Sequence, residues 1–406
     1  MARICVVRQS SFPLDTRVRR EVQSLVAEGH EVDVICVPRP GEPRHEQAGL
    51  TTIWRLPVRH RRGGVASYVF EYAAFFVLAS ALATILHVWR RYAVVQVNSM
   101  PDALVFAALG PRLMGARVLL DLHECMPEFY ASKFRTDPSH PAVRLLAWLE
   151  QASIRFADRC LTCTDQMRDM FVRRGARGDK IDVILNGADE DVFDPRRFPP
   201  RAADPNTFVL ISHGSVEERY GLDTVIRAVA LLRDEMPGLG LEIYGEGSCL
   251  DALRRLAAEL GVERQVRFSG RFVPLPELVR AIANADAGVV AIKRDAFRDL
   301  TLCNKMYDFI SMRKPVIASR TGALEAYFDN SSLQLFTSGD VGDLARAIRG
   351  LYVDAARREK LVQQAALAGE SHRWRHQRQR YNQSVGALVF GRPRPLISRT
   401  VSSRVE

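Results

Sequence analysis

The stretch Cys303–Ser319, C-N-K-M-Y-D-F-I-S-M-R-K-P-V-I-A-S, predicts a loop, an amphipathic helix and a short buried strand. The strand is the apolar run from Pro315 to Ala318, which follows the helical pattern directly. A helix that leads into a buried strand is typical of a parallel sheet covered by helices. This stretch therefore predicts an α/β fold.

The same stretch also carries polar groups suited to a nucleotide. Asn304 and Lys305 stand at the start of the predicted helix, and Asp308 lies about one turn further in. Helix N-termini present unpaired N–H groups and a positive dipole end, and so attract phosphates. An acid one turn inside can accept hydrogen bonds from a ribose. The stretch therefore indicates a nucleotide-activated substrate.

Short β-branched runs alternate with longer helical patterns on both sides of residues 193–206. That segment holds four prolines in a polar context and predicts a linker. The strands are predicted at Ile4–Val7, Val32–Val37, Val94–Val97, Val118–Leu122, Leu161–Cys163, Val183–Leu185, Phe208–Ile211, Leu241–Tyr244, Val266–Phe268, Gly288–Ile292 and Val316–Ala318.

This alternation predicts two tandem Rossmann-like, doubly wound α/β domains with an interdomain cleft, in which ligands bind at the carboxyl ends of the strands. The predicted parts are an N-terminal domain over 1–195, a linker over 196–206 and a second domain over 207–370. The Arg-, Pro- and Ser-containing tail over 391–406 predicts disorder.

The composition favours a soluble globular protein in a reducing compartment. Apolar residues make up 47% of the 406 residues and charged residues 26%. Seven scattered cysteines do not form a disulfide framework. Cys160 and Cys163 lie in a predicted strand without a second metal-ligand pair, so no metal site is predicted. The N-terminus runs directly into a strand and predicts no secretory signal.

The formal charge of +10 leaves three classes of partner open, namely nucleic acid, an anionic membrane and phosphate-bearing substrates. Aromatic residues do not interleave with the basic clusters, so nucleic acid is the least favoured. Solvated surface is the simplest interpretation of many of these arginines. They cluster at Arg17, Arg19 and Arg20, at Arg55, Arg59, Arg61 and Arg62, at Arg90 and Arg91, and at Arg373, Arg375, Arg378 and Arg380.

An apolar segment over Tyr72–Leu86 is followed by Arg90 and Arg91. Its 15 residues fall short of the roughly 20 that a helix needs to cross a bilayer. Two interpretations remain, a buried core helix and a helix that partly enters the membrane interface.

Several polar motifs follow predicted strands. His213-Gly214-Ser215 leads to Arg219, and a second glycine turn holds Gly245 and Gly247. A glycine after a strand lets a phosphate approach the backbone, and an arginine can clamp a diphosphate. Plain structural turns explain the glycine motifs equally well. No dinucleotide-binding or P-loop motif is present.

Two further motifs occur in the first half of the chain. His123-Glu124 ends a predicted strand, and Asn186-Gly187 follows another. Each also has a simple structural reading, as a packing histidine and as an Asn-Gly turn.

In combination these motifs resemble those of the retaining GT-B glycosyltransferases of family 4, in particular the members that build cell-surface polysaccharides. V-I-L-N-G-A-D at 183–189, followed by V-F-D-P at 192–195, is similar to the family's interdomain signature. The motifs at 244–247, 266–270 and 285–287 occur in the family's order, and F-P-L-D-T-R-V-R-R-E at 12–21 resembles its N-terminal loop and helix. The resemblance covers residues 3–390.

The resemblance implies roles for individual residues. Asp308 matches the ribose-binding acid, Arg219 and Lys305 the diphosphate-binding cations, and His123 the histidine that contacts the donor sugar. The residues implied as catalytic are His123, Arg219 and Lys305. Those implied as substrate-binding are Asp15, Arg17, Glu124, Asn186, Gly214, Gly245, Gly270, Asp299, Thr301, Asn304 and Asp308. The resemblance also implies that a helix over 371–390 packs back on the first domain.

Two positions depart from the family pattern. Leu300 stands where an acid usually contacts the donor sugar, and Asp295 or Asp299 is the candidate to replace it. Ser215 stands where many members have an arginine, which leaves more of the phosphate binding to Arg219.

The implied activity is transfer of a sugar, with anomeric retention, from a UDP- or GDP-sugar to a lipid-linked or polysaccharide acceptor. The resemblance further implies that no cofactor or metal is required, and that the protein is cytoplasmic and lies peripherally on the inner face of the cytoplasmic membrane. An inactive GT-B scaffold and a sugar-nucleotide 2-epimerase are the alternatives.

Overall fold

The chain forms two compact units in a computed structural model that describes residues 1–58, 65–202, 204 and 206–391, for 65–69 the backbone only. Unit 1 comprises Met1–Leu185 and Arg375–Glu406, and unit 2 comprises Asn186–Trp374. Each unit has its own parallel sheet, so the predicted α/β class with two Rossmann-like domains is confirmed.

Unit 1 is built on a sheet of eight strands in the order β3-β4-β2-β1-β5-β6-β7-β8. All neighbours are parallel except β3 and β4, which form an antiparallel edge hairpin. The central strands are continuous apolar runs because helices cover both faces. The strands are β1 (Arg3–Ser11), β2 (Glu31–Val37), β3 (His45–Ala48), β4 (Thr51–Arg55), β5 (Val94–Asn98), β6 (Arg117–Leu122), β7 (Arg159–Thr162) and β8 (Ile181–Val183).

The helices of unit 1 that precede the domain boundary are α1 (Thr16–Ala27), α2 (Val65–Arg90), α3 (Leu109–Leu113), α4 (Met126–Phe134), α5 (Pro141–Phe156) and α6 (Asp165–Arg173). Two 3₁₀ turns lie at Asp102–Ala108 and Gly178–Lys180. The Asp15 side chain caps α1 by accepting from the Val18 amide.

Unit 2 is built on a six-stranded parallel sheet in the order β11-β10-β9-β12-β13-β14. Successive residues of its strands enter different cores. Leu210 joins one cluster and Ile211 the other, because adjacent side chains point to opposite faces. The strands are β9 (Phe208–His213), β10 (Leu239–Tyr244), β11 (Val266–Phe268), β12 (Ala287–Val290), β13 (Val316–Ser319) and β14 (Gln334–Phe336).

The helices of unit 2 are α7 (Leu222–Leu232), α8 (Leu250–Glu259), α9 (Leu275–Asn284), α10 (Asn304–Ser311), α11 (Gly322–Tyr327), α12 (Val341–Val353) and α13 (Ala355–Ala368). Three 3₁₀ turns lie at Glu218–Tyr220, Arg298–Leu300 and Glu370–His372. The stretch Cys303–Ser319 thus forms a loop, α10 and β13, as its pattern predicts.

The last helix, α14 (Trp374–Phe390), contributes buried side chains to unit 1. Gln377 accepts a hydrogen bond from the Leu185 amide at 2.9 Å, and Ser384 donates to Asp182 at 2.8 Å. Both ends of the chain therefore belong to unit 1. The predicted tail lies outside the described residues, apart from Gly391.

The boundary between the units differs from the predicted one. It falls between Leu185 and Asn186, about ten residues before the expected linker. Ala188 and Phe193 are buried in one of the cores of unit 2, and the Arg201 amide donates to Asn284 at 3.1 Å. The proline-rich segment therefore packs on unit 2 along much of its length, because its apolar side chains find a core to enter.

Helix α2 is longer than the predicted 15-residue segment. It spans 26 residues, and Phe70–Arg90 is long and apolar enough to cross a membrane by length and composition alone. Phe75, Ala79 and Ala83 are fully buried on one side of the helix. The opposite side is apolar and exposed, so the helix is not a buried core helix throughout.

Several arginines of the predicted basic clusters are buried in ion pairs and do not form solvated faces. Arg17 and Arg20 are each 7% exposed. The Arg55 side chain is 2% exposed and pairs with Glu42 at 3.1 Å and Glu46 at 2.8 Å. Arg59, Arg61 and Arg62 lie outside the described residues.

Candidate functional site

Two glycine turns lie together at the carboxyl edge of the unit 2 sheet. Gly214 follows β9 with φ of +96°, and a Cβ there would lie 2.8 Å from Lys305 Cε. Gly245 follows β10 with φ of +143°, and a Cβ there would lie 1.9 Å from the Gly214 carbonyl oxygen. Only glycine fits both positions without displacement. The turns thus let Lys305 lie directly against the backbone after β9.

Three cations surround the ring of Tyr220. Lys305 Nζ lies 3.9 Å from the ring centroid, and the guanidinium carbons of Arg219 and Arg298 lie at 5.3 and 5.5 Å. In the part of the chain that the structure describes, no carboxylate lies within ion-pair distance of these three groups. The buried Nε atoms of Arg219 and Arg298 have no hydrogen-bond partner. The arrangement is a cationic cluster that lacks a counter-ion.

The electrostatics of Lys305 reflect this lack of compensation. Burial lowers the pKa of the Lys305 ammonium. Cys303 and Asp308 raise it in part, whereas the charges of Arg298 and Arg219 lower it further. A bound anion would relieve both effects, since an opposite charge favours the protonated amine.

Helix α10 begins beside this cluster. No side chain caps its N-terminus at Cys303, and Asn304 at the first helical position is exposed. The unpaired N–H groups of its first turn and its dipole add to the positive potential. The sequence prediction of a phosphate seat at this helix end is consistent with these contacts.

Asp308 lies one turn into α10, with its side chain 15% exposed. Its Oδ2 is 3.4 Å from Nε2 of His213. Burial lowers the pKa of His213 to about 3, and the charge of Lys305 acts in the same direction. His213 is therefore neutral near pH 7, and the contact is not an ion pair.

An open pocket adjoins the cluster, lined by Arg298, Thr301, Cys303 and the ends of β12 and β13. Most of its other lining is apolar, including Ile292 and Met306. A mainly apolar lining with a few polar groups is typical of small-molecule sites.

Asp299 is engaged within the unit. It pairs with Arg294 at 2.9 Å and accepts from the Gly322 amide at 2.8 Å, at the start of α11. Asp295 accepts from the Arg298 amide at 2.7 Å, and Leu300 is 8% exposed. Gly270 has φ of +64° and lies against Arg254. Asp299 thus caps a helix and holds an arginine, so a direct substrate contact by it remains a prediction.

His123 ends β6 at the carboxyl edge of the unit 1 sheet. Its side chain is 14% exposed, and its Nε2 lies 2.8 Å from Asp121 Oδ2. The His123 amide donates to Ser99 Oγ at 3.1 Å. Burial lowers the pKa of His123, although the Asp121 carboxylate raises it in part. The imidazole is therefore neutral near pH 7 and has a fixed orientation.

Arg17 is buried beneath His123. Its guanidinium donates to both carboxylate oxygens of Asp121, at 2.8 and 2.9 Å, and to the Ile184 carbonyl at 3.2 Å. Burial alone would raise the pKa of Asp121, but Arg17 and then His123 hold it well below its usual range. Arg17 therefore holds the Asp121 carboxylate in place beneath His123, and it does not form a surface that binds phosphate.

Other residues predicted in this part of the site lie near the same edge. Asp15 pairs with Arg8 at 2.9 Å in addition to capping α1. Burial would raise the pKa of Asp15, but Arg8 and His123 lower it below its usual value. Glu124 is half-buried next to His123, and Asn186 is the half-buried first residue of unit 2.

Sequence reasoning missed Asp121, Glu21, Tyr220 and Arg298. Asp121 lies inside an apolar strand. The sequence signal that could have found it is an acidic residue within an apolar run. Arg298 carried no signal, since it begins a 3₁₀ turn of three residues, which is too short to show a period. Among the described residues, no group of three or more His, Cys, Asp or Glu side chains could hold a metal ion.

Family models match both halves of the chain. Residues 14–187 match the model described as "Glycosyl transferase 4-like domain", and residues 207–354 match "Glycosyl transferases group 1". The first match lies in unit 1 except for its last two residues, and the second lies within unit 2.

Two relatives illustrate the similarity in sequence. The chain is 30% identical over 221 residues to D-inositol 3-phosphate glycosyltransferase of Pseudarthrobacter chlorophenolicus, which is 52% of this chain and 51% of the relative. It is 30% identical over 223 residues to glycogen synthase of Mycobacterium tuberculosis, 54% of this chain and 50% of the relative. The chain thus spans about half the length of these relatives.

Solved structures share the whole fold. Sucrose-phosphate synthase of Thermosynechococcus elongatus matches with a TM-score of 0.74 at 16% identity, covering 97% of this chain and all of that one. Anabaena HepE in complex with UDP-glucose matches with a TM-score of 0.71 at 15% identity, covering 95% of this chain and all of that one. At this identity the likeness shows the fold alone.

Proposed function

We propose that this chain, a GT-B protein built from a glycosyl transferase 4-like domain and a glycosyl transferases group 1 domain, transfers a sugar from a nucleoside-diphosphate sugar. The acceptor is lipid-linked or a polysaccharide, the anomeric configuration is retained, and the donor base is uracil or guanine. The observation that carries the proposal is the cationic cluster of Arg219, Arg298 and Lys305 around Tyr220.

The cluster suits the hardest part of such a reaction, the departure of a nucleoside diphosphate. Negative charge grows on the leaving phosphate as the glycosidic bond breaks. Preorganised cations at that place stabilise the transition state more than the ground state. Because no carboxylate among the described residues pairs with Arg219, Arg298 or Lys305, their charge is available to the diphosphate. In this scheme no metal is needed.

Other residues bind the rest of the donor. Asp308 accepts hydrogen bonds from the ribose, and Thr301 and Asn304 approach the phosphates with the start of α10. In unit 1, His123 contacts the donor sugar. Attack by the acceptor hydroxyl on the face of the leaving group gives retention.

A thermal-shift screen of UDP-, GDP-, ADP- and dTDP-sugars tests donor binding. We expect a UDP- or GDP-sugar to raise the Tm of the wild type and to have little effect on Asp308→Ala. Asp286→Ala is the matched control. Asp286 lies in the same unit, away from the cluster, and its Oδ2 accepts a hydrogen bond from the Val209 amide at 2.7 Å. Equal stabilisation of the wild type and Asp308→Ala would refute the site.

Transfer itself is tested with the donor that binds, by following nucleoside diphosphate release with and without a lipid-linked acceptor. Activity should survive EDTA. Release of free UDP with a sugar epimer in the absence of acceptor would indicate a 2-epimerase instead. No binding of any nucleotide in calorimetry would indicate an inactive scaffold.

We assign the acceptor-side partner to the membrane because of the exposed face of α2. Its exposed residues repeat along one side of the helix, with Phe70 and Trp89 74% and 80% exposed at its ends. Glu71 and Arg90 are the only Asp, Glu, Lys or Arg residues between Phe70 and Arg90. The large apolar side chains exposed on α2 are Phe70, Tyr72, Val77, Leu78, Ile85, Val88 and Trp89.

Helix α3 extends this face. Gly110 allows close packing, since a Cβ there would overlap Thr84 of α2. Leu109, Leu113 and Met114 add further exposed apolar surface, and Leu113 is 78% exposed. An apolar face of this extent with a tryptophan at its end and the exposed Arg91 nearby suits the interface of an anionic bilayer.

Vesicle co-sedimentation tests this partner. Val77→Glu on the α2 face should weaken binding to vesicles that contain phosphatidylglycerol about tenfold. Val353→Glu is the control, since Val353 is similarly exposed at the end of α12 in unit 2. Equal vesicle binding by both variants would contradict the assignment. A cytoplasmic location is part of the proposal, and all seven cysteines are free thiols.

A further inference from the structure

A buried hydrogen-bond chain in unit 1 begins on the last helix. The Tyr381 hydroxyl, fully buried on α14, donates to Gln96 Oε1 at 2.6 Å. The Gln96 amide in turn donates to Glu21 Oε2 at 2.8 Å. Gln96 and Glu21 have no exposed surface. The three side chains come from α14, β5 and α1, so the contact ties together three separate elements.

The chain continues to His123 through Asn98 and Asp121. The Asn98 amide donates to Glu21 Oε2 and to Asp121 Oδ2, both at 3.0 Å. Asp121 Oδ2 is also the partner of His123 Nε2 at 2.8 Å. Arg17 completes the arrangement by donating to both oxygens of Asp121.

This geometry fixes the tautomer of His123. An ionised carboxylate is an acceptor only, so the contact with Asp121 requires a proton on Nε2. Nδ1 then carries the lone pair. It makes no hydrogen bond to any described residue. A neutral imidazole held in this way presents one fixed hydrogen-bond acceptor.

We propose that Asp121 and Tyr381 are positioning residues for His123. The hydrogen-bond chain from α14 holds the imidazole in its Nε2–H tautomer, so that Nδ1 accepts a hydrogen bond from a hydroxyl of the substrate. The proposal rests on the proposed sugar transfer for its kinetic consequences only. The tautomer is a property of the protein and is measured without substrate.

Charged and titratable groups face His123 from four elements. They are Arg8 on β1, Asp15 and Arg17 at the start of α1, Asp121 on β6, and Cys163 after β7, with Glu124 next in sequence. Among these groups Asp121 raises the pKa of His123, whereas Arg8 and Arg17 lower it. Loss of the Asp121 charge should therefore lower the His123 pKa further.

The primary test compares Tyr381→Phe with Tyr92→Phe. Both remove one buried hydroxyl from unit 1, since Tyr92 donates to Asp33 at 2.9 Å and is 2% exposed. Among the described residues, no chain of hydrogen bonds connects Tyr92 with His123. Imidazole nitrogen shifts of ¹⁵N-histidine-labelled protein report the tautomer, and a His123→Gln variant assigns the signal among the nine histidines.

We expect wild type and Tyr92→Phe to show a single Nε2–H tautomer of His123. Tyr381→Phe should shift or broaden both nitrogen signals, and it should lower kcat about tenfold with little change in the KM for the donor. Identical His123 spectra in the two Tyr→Phe variants would overturn the role of Tyr381. If transfer is absent but the spectra differ as expected, the sugar-transfer proposal fails and the positioning proposal stands.

Asp121→Asn is the second test. The amide keeps a hydrogen-bonding group in place but removes the charge. The acidic limb of kcat against pH should move to lower pH, and the His123 resonance should titrate there too. An unchanged pH profile with an unchanged nitrogen spectrum would overturn the role of Asp121. Circular dichroism and Tm establish whether the variant folds, and Tyr381→Phe decides the proposal if it does not.

Discussion

The carboxyl edges of the two sheets differ in whether their buried cations are paired with carboxylates. In unit 1, the buried Arg17 is paired on both nitrogens with Asp121, and Asn98 and His123 use the remaining lone pairs. In unit 2, Arg219, Arg298 and Lys305 surround a phenol ring without a carboxylate partner among the described residues. The charges at the first edge neutralise one another, whereas the charges at the second edge require a bound anion. Fixing a side chain and receiving a ligand require these different solutions.

The contrast predicts opposite responses to the loss of a cation. Removing one partner of a buried ion pair leaves an uncompensated charge, which is strongly destabilising. Removing a cation from a group of like charges relieves repulsion.

The largest effect is expected for Arg17→Met. This change leaves the fully buried Asp121 carboxylate without its main partner. We expect the free energy of unfolding to fall by about 3–5 kcal/mol, measured by urea denaturation. A loss below about 1 kcal/mol would mean that the pairing does not hold this edge together.

Lys305→Met should behave in the opposite way in the absence of ligand. We expect its ligand-free Tm to equal or exceed that of the wild type, while nucleotide affinity falls about 100-fold in calorimetry. Lys314→Met is the control, since Lys314 is also partly buried in unit 2 but donates to the Ala283 carbonyl at 2.6 Å. If Lys305→Met loses stability and keeps its affinity, the cluster is not an anion site.

Arg298 gives a second test of the cationic cluster in unit 2, because no feature of the sequence pointed to this residue. Arg298→Met should weaken binding of the nucleoside diphosphate about tenfold and leave binding of the nucleoside unchanged. Arg294→Met, four residues away, removes an arginine that is already paired with Asp299. Equal affinities in the two variants would exclude Arg298 from the site.

His213 makes the stability of unit 2 depend on pH. Its folded pKa of about 3 lies below the ordinary value near 6.5. The unfolded state therefore binds the proton first, and stability is lost as the pH falls from about 6.5 toward 3, at up to about 1.4 kcal/mol per pH unit.

His213→Asn should flatten this part of the stability curve, as followed by urea denaturation at several pH values. His376→Asn, at an exposed position of α14, serves as the control. The same slope in wild type and His213→Asn would show that another group carries the dependence.

The regular parts of both sheets were predictable from sequence because buried parallel strands are apolar runs. The predicted strand Val266–Phe268 agrees with β11 at both ends. The hairpin of β3 and β4 was missed, since H-E-Q-A at 45–48 is a polar edge strand without an apolar signal. β14 was also missed, since its three residues, Q-L-F, include no β-branched side chain.

The candidate site was predictable where chemistry is local. Asn304, Lys305 and Asp308 share one short helix, and the helix period places them together. Asp121, Glu21 and Tyr381 come from distant parts of the chain, and their hydrogen bonds depend on the packing of three elements. Asp299 looked available from its loop position, but the start of α11 uses its carboxylate.

The assembly of unit 1 from both ends of the chain has a consequence for synthesis on the ribosome. Gln96 emerges 285 residues before Tyr381, the residue that completes its hydrogen bonding. At about 5–20 residues per second this separation lasts roughly 15–60 s, during which all of unit 2 is synthesised. The first unit to begin is therefore the last to finish, and until then its buried amides and carboxylates rely on water.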